Sequence, residues 1–421
     1  MSNIVFCPLH INRVTLSPMK DAAIKKLIDT EKKRQKKVVN LIASENYVSK
    51  DVLEALGSEL TNKYAEGYAG KRYYGGNEIV DKIERLAIER ALKAFGLSAE
   101  KWHVNVQPLS GSPANLAVYT GLVPPGGKIM GMSLDHGGHL THGHKVSATG
   151  KFWVQVPYGV DSKLEQLNYA EIREIAVREK PAIIVAGFTA YPRAIDFKKF
   201  REIADAAKNE AGEPALLMVD MSHIAGLVAG KEYPSPFDYA DIVTTTVHKT
   251  LRGPRSAIIF SRIDARNLGS KIDRAVFPGL QGGPHINQIA AVAVALKEAA
   301  APAFKKYAKQ VKKNAVALAS ELSKRGWKII SGGTDSHLIL VDTWMNGIKN
   351  GLGAGAVTGK DASDKLERAG IIVNKNAIPF DKRPPADPSG IRLGSAAETT
   401  RGKREKDFVK LAQKIDAVLR S

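Results

Sequence analysis

The sequence predicts an α/β protein whose core sheet is largely parallel, followed by a smaller α+β portion. Three observations carry this. Short apolar runs at residues 183–188, 216–219 and 242–247 are rich in β-branched residues and separated by helical segments, as buried parallel strands are. Two of these runs end on polar residues, Asp220 and His248-Lys249, and α/β sheets place their sites just past such strand ends. After about residue 300 the pattern changes to a long Lys- and Ala-bearing helix, short apolar runs and a final amphipathic helix.

The elements follow in order. Ser17-Pro18 reads as an N-cap and first-turn proline, opening a helix with Ile24, Leu27 and Ile28 on one face. Ile79, Ile83, Leu86 and Ala87 recur at helical spacing, and Gly96 is a stop. Beyond the three central runs come Lys328-Ile329-Ile330, residues 337–341, a glycine-rich stretch and residues 371–373. Phe408, Leu411, Ala412, Ile415 and Leu419 then mark one face of the last helix. The expected organisation is an arm at 1–40, a large domain at 41–295 and a small C-terminal domain at 296–421. The boundary falls on a helix near 288–310. No internal repeat or low-complexity tract interrupts the chain.

Composition narrows the function. With 421 residues and 44% hydrophobic content, the chain can bury a sizeable core. Its single cysteine, Cys7, excludes an intrachain disulfide and a Cys-based zinc site. Residues 1–10 show no secretory pattern. The longest apolar stretch, 289–296, falls well short of the roughly 20 residues a bilayer span needs. A cytoplasmic protein is expected. The net charge of +19 favours anions: phosphate cofactors, polyglutamylated substrates or nucleic acid. The dense run Lys32, Lys33, Arg34, Lys36 and Lys37 reads as a solvated helix face, and no interleaved aromatics support a nucleic-acid groove.

The segment Thr244-Thr245-Thr246-Val247-His248-Lys249 is the sharpest. A lysine at the end of a buried strand is desolvated, which lowers its pKa and frees a nucleophilic amine; an isolated lysine there is more often a surface turn residue. Lys249 follows Asp220 by 29 residues, and one strand–helix–strand unit takes about 30. The two can therefore sit on adjacent strands at one sheet edge. A cofactor with a pyridinium nitrogen needs a carboxylate, and its aldehyde needs a lysine; Asp220 can equally cap a helix before Ser222-His223. Ser110-Gly111-Ser112-Pro113-Ala114-Asn115 offers hydroxyls and N–H groups at a helix start, suited to phosphate, though Ser-Gly-Ser-Pro is also an ordinary capped loop.

Residues 134–144 hold four of the ten histidines, His136, His139, His142 and His144. A metal site is one reading; the glycines between them make a loop, and no Glu or Cys set completes a zinc sphere. A histidine stacked on a planar cofactor is the other reading and fits the rest of the chain. Residues 353–360 look like a phosphate-binding loop at a glance, but Ala354 and Asp361 break the pattern, leaving a glycine-rich surface loop.

Taken together, Leu41-Ile42-Ala43-Ser44-Glu45-Asn46, Asn62-Lys63-Tyr64-Ala65-Glu66-Gly67-Tyr68, Lys71-Arg72-Tyr73-Tyr74-Gly75-Gly76, residues 243–251 and 277–284, and Ser389-Gly390-Ile391-Arg392 resemble serine hydroxymethyltransferase from about residue 40 to the C-terminus. The resemblance implies a fold-type-I pyridoxal-phosphate enzyme with a mixed, mostly parallel seven-stranded sheet. It implies Lys249 as the Schiff-base lysine and Asp220 as partner of the pyridine nitrogen. His139 would stack on the ring, with Thr189 over it, and His223 would lie near the phenolic oxygen. Ser110, Gly111 and Ser112 would hold the phosphate, and Arg392 the substrate carboxylate with Ser44 nearby. His248 would influence reaction specificity, and Arg255 would support the active-site loop. A homodimer or tetramer with shared sites is implied. Tyr64, Glu66 and Tyr74 would face the neighbouring subunit's cofactor, and Gly282 and Gly283 would reach its phosphate. Tetrahydrofolate would be a co-substrate, met by Leu134, Gly138, His139, Leu140 and Asn376, with Glu66 moving protons.

The chain departs from the family pattern at Thr189 (usually serine), at Ser256-Ala257 and Leu280 (usually glycines), at Ser395-Ala396 (usually Thr-Pro) and in the extra residues 346–360. The alternative is a folate-independent, threonine-aldolase-like lyase using the same cofactor. A basic RNA-binding role is an alternative of another class, against which Lys249, Asp220 and Arg392 all argue.

Overall fold

The structure, a computed structural model, describes residues 19–209, 211–344 and 356–421. Cys7, the Ser17-Pro18 helix start and most of the glycine-rich stretch 346–360 lie outside them. The chain divides into two compact units, Met1–Val39 and Asn40–Ser421.

In the first unit, Ala22–Lys37 is a helix. Its cap is Asp21, whose carboxylate accepts the N–H groups of Ala23 and Ile24. Lys32, Lys33, Arg34, Lys36 and Lys37 are exposed along it, as a solvated face requires, and so are Ile24, Leu27 and Ile28.

The second unit is built on a seven-stranded sheet. Its strands are β1 (Trp102–Asn105), β2 (Lys128–Met132), β3 (Val154–Tyr158), β4 (Ile183–Gly187), β5 (Leu216–Asp220), β6 (Ile242–Thr246) and β7 (Ala257–Arg262). Their order across the sheet is β1-β7-β6-β5-β4-β2-β3. Only β7 runs against the rest, pairing antiparallel with β1 and β6. The central runs are apolar without alternation because both faces are covered. Ile184 and Ala186 enter one core while Ile183 and Val185 enter the other, and Leu217 and Val219 likewise oppose Met218. Glu78–Phe95 is one covering helix, burying Val80, Ala87 and Ala91 and ending at Gly96 in the left-handed region.

A smaller antiparallel sheet follows, with β8 (Lys328–Ile329), β9 (Leu338–Asp342), β10 (Asn374–Asn376) and β11 (Gly390–Gly394) in the order β8-β9-β11-β10. The final helix, Glu405–Arg420, buries the five predicted apolar residues. The helix expected across 288–310 is two helices, Ile286–Ala299 and Pro302–Lys324. Pro302 has no N–H to continue a helix but suits a first turn, so the chain stops and restarts there. Among the described residues no helix is long and apolar enough to cross a membrane.

Candidate active site

Because β4, β5 and β6 are parallel, their C-terminal ends open on one edge. A cavity of about 340 Å³ lies there. Phe188 and Thr189 reach it from the end of β4, Asp220, Ser222 and His223 from β5, and Thr246, His248 and Lys249 from β6. The expected neighbourhood of Asp220 and Lys249 follows from parallel pairing, with Asp220 in register with Thr244.

Asp220 caps no helix; Ile224 holds that place before Ala225–Ala229. One carboxylate oxygen accepts the Ser222 N–H at 3.1 Å; the other accepts Asn115 Nδ2 at 2.9 Å and lies 3.2 Å from His142 Nε2. Burial alone would push the carboxyl up. The hydrogen bonds to His142 and to the Ser222 N–H outweigh it and hold Asp220 well below the usual carboxylate range. Asn115 is itself locked: its Oδ1 accepts the Thr244 hydroxyl at 2.8 Å, so its amide must turn Nδ2 toward Asp220.

Lys249 is buried. Desolvation brings its pKa from 10.5 to about 8; Asp220 opposes the shift, while Arg392 and Arg255 add to it. Burial also pulls His248 down to about 3 and His139 to about 4, so both rings are neutral.

The helix Gly111–Leu122 begins at the cavity, and its N-cap Ser110 makes no side-chain cap bond. A Cβ on Gly111 would lie 2.6 Å from the Thr246 methyl, so only glycine lets the helix start approach this strand end. Thr246 Oγ1 and His248 Nδ1 are buried with no hydrogen-bond partner among the described residues. An anionic ligand seated on the helix N-terminus meets N–H groups, hydroxyls and the positive end of the helix dipole.

Arg392 comes from the other sheet. On β11 it is buried, its Nη1 donating to the Thr189 carbonyl at 2.7 Å and its Nε to Asn374 Oδ1 at 3.0 Å. Nη2 keeps no such bond among the described residues. Ser44 and Glu45 also line the cavity.

A second set of predicted residues lies elsewhere. The Tyr64 hydroxyl donates to Glu66 Oε1 at 3.1 Å, and the Tyr64 and Tyr74 rings meet edge to face at 5.3 Å. Gly282 and Gly283 pack against them: a Cβ would lie 3.0 Å from Glu66 Oε1 at the first and 3.3 Å from the Tyr64 ring at the second. None of these five lines the cavity. Tyr64 and Tyr74 are half exposed. Leu134, Gly138, Leu140 and Asn376 also lie outside its lining. Gly138 leaves no room for a side chain, since a Cβ would fall 1.9 Å from the Met132 carbonyl.

The histidine-rich loop spends its ring nitrogens separately. His136 Nδ1 accepts the Val160 N–H, His139 Nδ1 accepts the Thr141 N–H, and His142 Nε2 faces Asp220. Among the described residues no cluster of three or more His, Cys, Asp or Glu is placed to hold a metal ion.

A family model described as serine hydroxymethyltransferase matches residues 17–415. The chain is 53% identical to the serine hydroxymethyltransferase of Desulfotalea psychrophila over 406 residues, covering 96% of this chain and 90% of the relative. It is 53% identical to that of Rickettsia akari over 399 residues (95% and 90%) and 54% identical to that of Phenylobacterium zucineum over 399 residues (95% and 88%). The chain belongs to the serine hydroxymethyltransferase family. Serine hydroxymethyltransferases are fold-type-I enzymes that use pyridoxal phosphate and take tetrahydrofolate as a co-substrate. The cavity's chemistry fits that cofactor: an amine at Lys249, a carboxylate at Asp220, and a helix start at Gly111 where a Cβ would be crowded out.

Where the chain departs from other serine hydroxymethyltransferases, the structure shows little disturbance. Thr189 holds Arg392 through its backbone carbonyl. Leu280 is about half exposed. Ser395 turns its hydroxyl inward to the Val311 carbonyl. Sequence reasoning placed Asn115 in the phosphate motif and missed its bond to Asp220. It missed Asn374 and His337 altogether, and neither had a signal.

Proposed function

We propose that this protein reversibly transfers the hydroxymethyl carbon of serine to tetrahydrofolate, giving glycine and 5,10-methylenetetrahydrofolate, as a cytoplasmic homodimer or tetramer. The observation that carries it is the convergence of Lys249, Asp220 and Arg392, drawn from separate strands, on one cavity.

Pyridoxal phosphate, when bound, supplies an aldehyde for an amine and a protonated ring that accepts the charge left at the substrate Cα. Lys249 would hold it covalently, its amine lowered to about 8 and so more available than an ordinary lysine. Asp220, kept ionised, would partner the ring nitrogen. Ser110, Gly111 and Ser112 would hold the phosphate, His139 and Thr189 the ring, and His223 the phenolic oxygen. Arg392 offers Nη2 to the substrate carboxylate, with Ser44 beside it. His248, which also lines the cavity, would influence substrate and reaction specificity.

Tyr64, Glu66, Tyr74, Gly282 and Gly283 complete the cavity of a second copy, which accounts for their grouping away from this chain's own lysine. Glu66 moves the protons of the folate step, while Leu134, Gly138, Leu140 and Asn376 contact the folate. Within Asn40–Ser421 we read a large lobe at 41–295 and a small one at 296–421.

The test is an absorbance spectrum of the purified protein, then glycine titration with and without tetrahydrofolate. A visible cofactor band, absent from Lys249→Ala, and a folate-enhanced response to glycine are expected. A band with no folate response points to the aldolase-like lyase instead. No band after adding pyridoxal phosphate overturns the reading.

A further inference from the structure

His337 stands just before β9 and is fully buried. Its Nε2 lies 3.1 Å from the Ala43 carbonyl oxygen and 3.3 Å from Nδ1 of His223. The two imidazoles lie nearly parallel, 24° apart with centroids at 5.4 Å, and the Phe188 ring lies 27° from His223 with centroids at 6.4 Å. His337 Nδ1 is buried with no partner among the described residues.

We propose that His337 is a positioning residue that fixes the tautomer of His223, so that His223 presents an Nε2–H donor to the cavity. A carbonyl oxygen only accepts, so the contact with Ala43 requires a proton on His337 Nε2. Both rings are neutral: burial, with Lys249 and Arg392 nearby, holds His223 far below its ordinary value, and burial holds His337 at about 3. A neutral imidazole carries one N–H, so His337 Nδ1 is bare. That agrees with its lack of an acceptor, since a buried N–H in that place would be stranded. With Nε2–H occupied, His223 Nδ1 cannot also carry a proton, because two N–H groups would face each other at 3.3 Å. The proton of His223 therefore sits on Nε2.

The consequence for ligands is selective. His223 lines the cavity, and its Nε2 has no bond to the described residues. As a fixed donor it donates to an acceptor opposite it, such as a phenolate or carboxylate oxygen, and rejects a ligand N–H. The relay also ties the cavity to the 41–46 segment through Ala43. The use of the donor in catalysis rests on the function proposed above; the tautomer does not, since it is set by the protein alone.

The test is therefore made first on cofactor-free protein. Long-range proton–nitrogen NMR of ¹⁵N-histidine-labelled protein reads which ring nitrogen is protonated. Both His223 and His337 are expected as Nε2–H. In His337→Phe, which keeps a flat ring without a donor, the constraint on Nδ1 is lifted and part of the His223 signal should move to Nδ1–H. In the loaded enzyme the KM for serine should then rise about tenfold, with kcat less affected. His337→Gln, whose amide can donate from a similar place, should restore both. An Nδ1–H signal for His223 in the unaltered protein overturns the proposal, as does an unchanged His223 tautomer in His337→Phe. If that variant fails to fold, the spectrum of the unaltered protein decides alone. Loss of cofactor binding with the tautomers as expected would count against the proposed function and leave this inference standing.

Discussion

Asp220 and Lys249 belong to neighbouring parallel strands: Asp220 ends β5 in register with Thr244 of β6, and Lys249 lies in the turn that follows β6. The anion and the amine are thus set by backbone pairing, and their opposed chemistry shares one desolvated edge.

Asp220→Asn keeps a hydrogen-bonding group in place but removes the charge. The cofactor should still be captured, while serine turnover falls by about a hundredfold or more, the scale of losing a preorganised electrostatic partner. Turnover within a few fold of the unaltered enzyme would remove Asp220 from the proposed role.

Arg392→Lys keeps a cation but loses the planar fork. Of its nitrogens, Nη1 and Nε already serve Thr189 and Asn374, so a lysine cannot both hold them and grip a carboxylate. We expect kcat/KM for serine to fall by about one to two orders of magnitude, mostly in KM, with the cofactor spectrum intact. A change confined to kcat would point away from carboxylate binding.

Glu66→Gln preserves shape and removes an ionisable carboxyl. The visible cofactor band should persist, and folate-dependent cleavage of serine should fall by about a hundredfold. Full retained activity would sink the role of Glu66.

Lys249 links pH to stability in the cofactor-free protein. Its folded pKa is about 8 against 10.5 when unperturbed, so between those values the unfolded chain binds more protons than the folded one. Stability then rises with pH across that window, and the cost of burying the ammonium is carried in full below it. Lys249→Met should be more stable than the unaltered apo-protein near neutral pH, with the gap in urea midpoint narrowing as pH approaches 10.5. A gap that does not change with pH would mean the lysine does not titrate in that window.

Much of this site was legible because its parts are local. Strand ends at Asp220 and Lys249 and the Ser110-Gly111-Ser112 helix start each announce themselves within a few residues. Arg392, Glu66 and Tyr64 came only with the family resemblance. What holds Arg392 was not legible at all: Asn374 reaches it across β10–β11 pairing, and the Thr189 carbonyl lies 203 residues away in sequence. His337 and Ala43 are 294 residues apart, and nothing near either one points to the other. The break between the helices at Pro302 was readable in principle, but a continuous run of alanine and lysine masked it.

Thr189 sits in the cavity wall, yet its grip on Arg392 is made by an atom every amino acid possesses. Substitutions at this position leave that bond in place as long as the backbone path is kept. Residue 189 is therefore a place where the lineage can drift, or an engineer can reshape the cavity wall, while the hold on Arg392 is inherited unchanged.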